Sequence, residues 1–207
     1  TKVFVIEVMG RHAGWIAAAG GMASDPTCEI PIVILFPEVA FDQPRFLAKV
    51  DELVKKFGYC SVVVSEGVKG PDGKFLSDQG LRDAFGHAQL GGVAPVVANM
   101  IKQGLNLKYH WAVADYLQRS ARHVASRTDV EQAYAVGKAA VEFAVKGHNA
   151  VMPAVVRGSN KPYRWKIGMA DLNKVANVEK MMPKDFISPD GFGITGKCRQ
   201  YLAPLIQ

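Results

Sequence analysis

The run VFVIEVMGRHAGWIAAAGGMA, Val3 to Ala23, decides the fold. Val3–Val8 reads as a buried strand, because four of its six residues are Val or Ile. Met9-Gly10-Arg11 turns the corner. From about His12 to Ser24 the Ala- and Gly-rich sequence predicts a helix that can pack closely on a sheet. This layout puts Arg11 and several free backbone N–H groups at a strand C-terminus and a helix N-terminus. The first N–H groups of a helix lack internal partners and its dipole favours negative charge, so the corner suits an anion.

The pattern repeats downstream. Pro31 opens an apolar strand, Ile32–Phe36, and a helix follows over Arg45–Phe57, with Pro44 near its first turn and Gly58 as its stop. A third strand, Cys60–Ser65, ends in Glu66-Gly67. Short continuous apolar strands alternating with helices predict parallel pairing, with helices on both sheet faces. The expected fold is therefore α/β, a three-layer sandwich around a mostly parallel, Rossmann-like sheet. In such sheets ligands sit beyond the strand C-termini. Arg11 and Glu66 both fall there and can face one crevice.

Val68–Gly80, with GPDGK at its centre, reads as an exposed loop. A helix is expected from Gly92 to about Gly104, and a strand over Tyr109–Tyr116. The Thr128–Gly147 helix carries a capping-box pattern, Thr128 with Glu131. Ala150–Arg157 and Tyr163–Gly168 predict a hairpin across Gly158–Pro162. A polar turn at Asp190–Gly193 and a last helix, Gly196–Leu202, complete a C-terminal hairpin/helix extension. No linker divides the chain by composition.

Lys and Arg exceed Asp and Glu by 25 to 19 in 207 residues, a net +6 spread along the chain. That pattern does not suggest a nucleic-acid surface, and a phosphorylated metabolite explains it as well. Cys28, Cys60 and Cys198 lack CxxC spacing, which argues against a disulfide framework and a zinc site. No apolar run approaches a membrane span and no charged start leads an apolar segment, so a cytoplasmic location is the expectation.

Three stretches carry candidate chemistry. Met9-Gly10-Arg11 combines a glycine that allows close backbone approach with a planar fork of donors for phosphate or sugar oxygens. Glu66 offers a carboxylate, which only accepts hydrogen bonds when ionised and so suits sugar hydroxyls. Tyr116 and Arg119, within Asp115-Tyr116-Leu117-Gln118-Arg119, can present a hydroxyl and a charge to one phosphate. Each stretch alone also reads as an ordinary surface. His12, in the strand-to-helix turn, is a weaker anion candidate. His87, His123 and His148 have no metal-ligand spacing, so no metal site is expected in the chain. Gly91-Gly92 lacks the Lys-Ser/Thr of a P-loop, and Lys174–Lys184 reads as a surface stretch.

Taken together, EVMGRHAGW, VVVSEGV and YLQRS followed by TDVEQAYAVG resemble the phosphofructokinases. The resemblance implies that Met9, Gly10, Arg11, Glu66, Tyr116, Leu117, Gln118 and Arg119 bind fructose 6-phosphate, with Arg11 a possible aid to the transition state. It aligns Lys2 and His110 with two cations that reach the sugar phosphate from a neighbouring subunit, which implies a homo-oligomer. ATP-dependent bacterial members usually have His where Tyr116 stands and a Gln-Arg-Gly-Gly string. Tyr-Leu-Gln-Arg-Ser is more like the pyrophosphate-dependent branch.

In that family the MGR segment lies near mid-polypeptide. The donor-binding GGDG-type loop and the TIDND-type segment with the catalytic aspartate lie upstream, and neither string occurs here. Residues 1–207 are thus expected to form a C-terminal, sugar-phosphate-binding lobe. The donor lobe, the catalytic residue and most of the Mg2+ site would lie elsewhere. The whole enzyme would phosphorylate the 1-hydroxyl of fructose 6-phosphate from pyrophosphate, reversibly. The alternatives are an ATP-dependent phosphofructokinase and a non-catalytic, sugar-phosphate-binding regulatory subunit.

Overall fold

Four parallel strands pair in the order β2-β3-β1-β4: β1 (Val3–Val8), β2 (Ile32–Leu35), β3 (Cys60–Ser65) and β4 (Tyr109–Val113). The computed structural model describes residues 1–77 and 92–206. Helix α1 (Trp15–Gly20) joins β1 to β2, α2 (Gln43–Phe57) joins β2 to β3, and α3 (Val93–Leu105) precedes β4.

Alternation assigns the faces. Val3, Val5, Val33, Leu35, Val62 and Val64 point to one face and form a core with Phe46 and Val50 of α2 and Val97 and Ile101 of α3. Ile34 and Val63 point to the other face, where Gly20 and Gly21, at the end of α1, lie against them. Three layers result, as the apolar runs predict.

Helix α2 starts and stops by the expected signals. Asp42 accepts from the Arg45 N–H at 3.0 Å, and the Gly58 N–H donates to the Val54 carbonyl at 2.8 Å. The helix expected from His12 begins later, at Trp15, because Glu38 takes the Gly14 N–H and fixes Gly14 as N-cap. The strand expected through Tyr116 ends at Val113. The Ala114 N–H still makes its ladder bond to the Glu7 carbonyl, and Asp115 then turns the chain with a positive φ of 41°. A short helix, α4 (Leu117–Ser120), follows.

Two compact units emerge, Thr1–Ser120 with Met181–Cys198, and Ala121–Lys180 with Arg199–Gln207. Neither is continuous in the sequence, which is why no linker is legible there. The second unit holds α5 (Arg127–Val145), an antiparallel pair, β5 (Val151–Asn160) and β6 (Tyr163–Asp171), and the short α6 (Leu172–Val175). Ser126 caps α5 by accepting from the Asp129 N–H at 3.0 Å. The expected Thr128 instead donates its hydroxyl to the Pro204 carbonyl at 2.9 Å. The hairpin is longer than expected, because a bulge between Arg157 and Ser159 carries β5 through Gly158. The Arg157 guanidinium lies 4.8 Å from the Tyr163 ring centroid and 3.9 Å from that of Tyr201. The last helix, α7, spans Gly196–Leu202 as expected.

Candidate functional site

The turn after β1 runs toward α1 on one sheet face, and the loop after β3 leads toward α3 on the other. β1 and β3 are neighbours, so their C-terminal ends form the kind of switch point beyond which open α/β sheets place their ligands.

Both strand ends are tied together there. The Glu66 N–H donates to the Val8 carbonyl at 2.9 Å, and Glu66 Oε1 accepts from the Gly10 N–H at 3.1 Å. The Ser65 hydroxyl donates to the Gly10 carbonyl at 2.6 Å. Gly10 has φ +147°, and a Cβ there would stand 2.6 Å from Ser65 Oγ. Gly67 is crowded by approach alone: a Cβ would lie 1.8 Å from the Arg11 carbonyl oxygen. The backbone of Arg11 therefore abuts the residue after Glu66.

The third stretch joins from β4. Gln118 Oε1 accepts from the Met9 N–H at 3.2 Å, while its Nε2 donates to the Asp115 carbonyl at 3.1 Å. The Arg119 guanidinium lies 5.3 Å from the centre of the Tyr116 ring, and that tyrosine is 66% exposed. Leu117 is exposed and Arg11 half-buried. Residues 9–11, 66 and 115–119 thus converge on one turn. They offer two guanidinium groups, a phenol and two carboxylates, those of Glu66 and Asp115, a set suited to a phosphorylated polyol.

Three of the N–H donors at this corner are engaged. The N–H groups of Met9, Gly10 and Gly14 donate to Gln118, Glu66 and Glu38. Buried backbone groups pair with whatever acceptor lies within reach, and three side chains crowd this turn.

Lys2 and His110 lie elsewhere in the same chain. Lys2 precedes β1 and His110 pairs with Phe4, so by strand rise they lie about 20 Å and about 13 Å from the C-terminal end of β1 that leads to Arg11. His12 lies beside the Phe75 ring, with centroids 5.9 Å apart. His87 and Gly91 fall outside the described residues. Among the described residues, no group of three or more His, Cys, Asp or Glu is placed to hold a metal ion.

Sequence reasoning missed two carboxylates. Glu7, 3% exposed in β1, accepts from the Gly92 N–H at 3.1 Å and the Ala94 N–H at 2.9 Å, capping α3. Burial pushes its pKa above the usual carboxylate value, the Glu66 charge adds to the rise, and the N–H donors hold it back. A lone charge inside VFVIEV was the available signal. Glu38, just past the end of β2, takes the Gly14 N–H on both oxygens, at 2.9 and 3.2 Å, and the Met182 N–H at 3.3 Å. The strand-end rule that singled out Arg11 and Glu66 also points to it.

The chain matches the family described as Phosphofructokinase over residues 1–144. It is 69% identical over 207 residues to a pyrophosphate–fructose 6-phosphate 1-phosphotransferase of Methylococcus capsulatus, covering 100% of this chain and 49% of that protein. A protein of the same description from Halomonas elongata is 64% identical, with the same coverage. The solved structure of a pyrophosphate-dependent phosphofructokinase from Nitrosospira multiformis is 70% identical, with a TM-score of 0.88, and the match covers 100% of this chain and 48% of that one. The chain thus spans about half the length of the relatives it matches. With the family match extending over the whole sheet and the convergent turn, the chain belongs to the phosphofructokinase family.

Proposed function

We propose that this chain supplies the fructose 6-phosphate-binding part of a pyrophosphate-dependent phosphofructokinase. The observation that carries the reading is the convergence of Glu66 and Gln118 on the Met9–Gly10 backbone, which gathers three distant stretches at one strand end. Arg11, Tyr116 and Arg119 hold the sugar phosphate, while Glu66 and the Met9–Gly10 turn orient the ring. Leu117 and Gln118 shape the wall that carries Tyr116 and Arg119.

The contribution of these residues is positioning. An acceptor held in line with its donor can save on the order of 7–11 kcal/mol of the barrier. Arg11 also offsets charge as the phosphoryl group transfers to the 1-hydroxyl. The general base and the pyrophosphate cradle belong to residues outside this chain. Mg2+ is placed mainly with those groups, and among the described residues no cluster of three or more His, Cys, Asp or Glu stands ready to hold it.

The relatives' names and the Tyr at position 116 favour pyrophosphate over ATP. Lys2 and His110, far from Arg11 in their own chain, fit a role in the site of a second copy, and so a homo-oligomer. No helix among the described residues is long and apolar enough to cross a membrane, and a cytoplasmic location completes the proposal.

The test supplies the full-length gene product with fructose 6-phosphate, Mg2+ and either pyrophosphate or ATP, and follows fructose 1,6-bisphosphate. Turnover with pyrophosphate is the expected result. Turnover with ATP alone would overturn the donor, and turnover with neither would leave a regulatory binding protein.

A further inference from the structure

Arg11 rides on a turn whose near end is fixed three times over, by Gln118 at Met9 and by Glu66 and Ser65 at Gly10. Its far end, Gly14, is held by the carboxylate of Glu38. The same carboxylate reaches the Met182 N–H, a residue 144 positions away in sequence. That second tie anchors the turn to the segment Met181–Cys198, which is fixed independently. Phe186 packs edge-on against Trp15, with ring centroids 6.0 Å apart, and the Phe192 carbonyl accepts from the Ile34 N–H of β2 at 2.8 Å.

We propose that Glu38 is a positioning residue for the phosphosugar site, tying Gly14 to Met182 and so fixing the far end of the turn that carries Arg11. The proposal rests on the functional reading above and adds a residue to it. An ionised carboxylate makes stronger hydrogen bonds to N–H groups than a neutral acceptor does, so one side chain can hold two segments. Loss of that hold lets Arg11 move relative to Glu66 and Arg119, while both groups stay in place. Hydrogen bonds weaken steeply as their geometry departs from the ideal, so a displaced guanidinium loosens its hold on the sugar phosphate.

The experiment compares Glu38→Ala and Glu38→Gln in the full-length gene product. Glu38 lines a cavity of about 590 Å³, so its truncation enlarges an existing space instead of opening a void in a packed core. For Glu38→Ala we expect the KM for fructose 6-phosphate to rise about tenfold or more, with kcat changed less than about threefold. Backbone hydrogen exchange across residues 9–16 rises in the same variant without substrate. Glu38→Gln keeps one carbonyl acceptor and restores KM to within about threefold of wild type. A Glu38→Ala protein with a lowered Tm but wild-type KM and unchanged exchange over 9–16 would reduce Glu38 to a structural contact and overturn the proposal. Failure of the wild type to turn over fructose 6-phosphate would instead overturn the functional reading, while the exchange measurement still decides whether Glu38 holds the turn.

Discussion

At the scale of single residues, Arg11 and Gly67 make the sharpest demands. Arg11 supplies a charged fork to the proposed phosphosugar, and hydrogen bonds to charged groups are worth about 1.5–3 kcal/mol. Arg11→Ala is therefore expected to raise the fructose 6-phosphate KM about 10- to 100-fold; an unchanged KM in steady-state assays would remove Arg11 from the site. Gly67→Ala drives a methyl group to within 1.8 Å of the Arg11 carbonyl oxygen, a backbone atom that cannot swing aside. The expected cost is about 3 kcal/mol, read by denaturant unfolding. The thiols divide by burial. Cys28 is exposed, whereas burial pushes the Cys60 pKa up to about 12 and Cys198 is also buried. A thiol reagent at pH 8 should label Cys28 alone in the native protein.

Among the elements, α3 and β1 are joined through a charge. The Glu7 carboxylate caps α3, yet burial raises its pKa above the ordinary carboxylate range. The folded state therefore favours the protonated acid more than the unfolded chain does. That contribution to stability is complete below about pH 4.5 and fades as pH rises through the folded pKa. The Tm difference between wild type and Glu7→Gln should then be most favourable to wild type at low pH and shrink toward neutrality. A difference that stays constant with pH would mean that Glu7 titrates alike in both states. Helix α5 offers a simpler test, since Ser126→Ala removes its N-cap acceptor and should cost about 1 kcal/mol in the unfolding free energy. These elements also show what sequence alone can reach. The sheet was legible because its strands are continuous apolar runs closed by Arg11, Glu66 and similar punctuation. The meeting of Arg11 and Glu66 followed from strand ends, whereas 115–119 joined them through the family resemblance. Glu7 and Glu38 left only faint marks, a lone charge in an apolar strand and a place just past a strand end, because their partners are backbone N–H groups as far as 85 and 144 residues away, and backbone carries no sequence signal. Ser126 was passed over for Thr128, two positions on, because both residues are competent caps and only the local backbone chooses.

On the scale of the whole molecule, the placement of Lys2 and His110 at the far end of the sheet leads to a test by mixing. If they serve a neighbouring copy, an Arg11→Ala chain and a His110→Ala chain, each weak alone, should regain activity when co-expressed, because a hybrid assembly contains some sites with neither defect. Activity no higher than the average of the two parents would place each site within one subunit. The discontinuity of the first unit has a further consequence. Its β2 edge is closed by the Phe192 carbonyl, and its Glu38 carboxylate meets the Met182 N–H, both contributed by a segment that follows the entire stretch Ala121–Lys180. On the ribosome, the sheet and its turn are synthesised long before that segment exists. A nascent chain of this protein must therefore wait with an unpaired strand edge, open to pairing with its polysome neighbours, until translation passes residue 192.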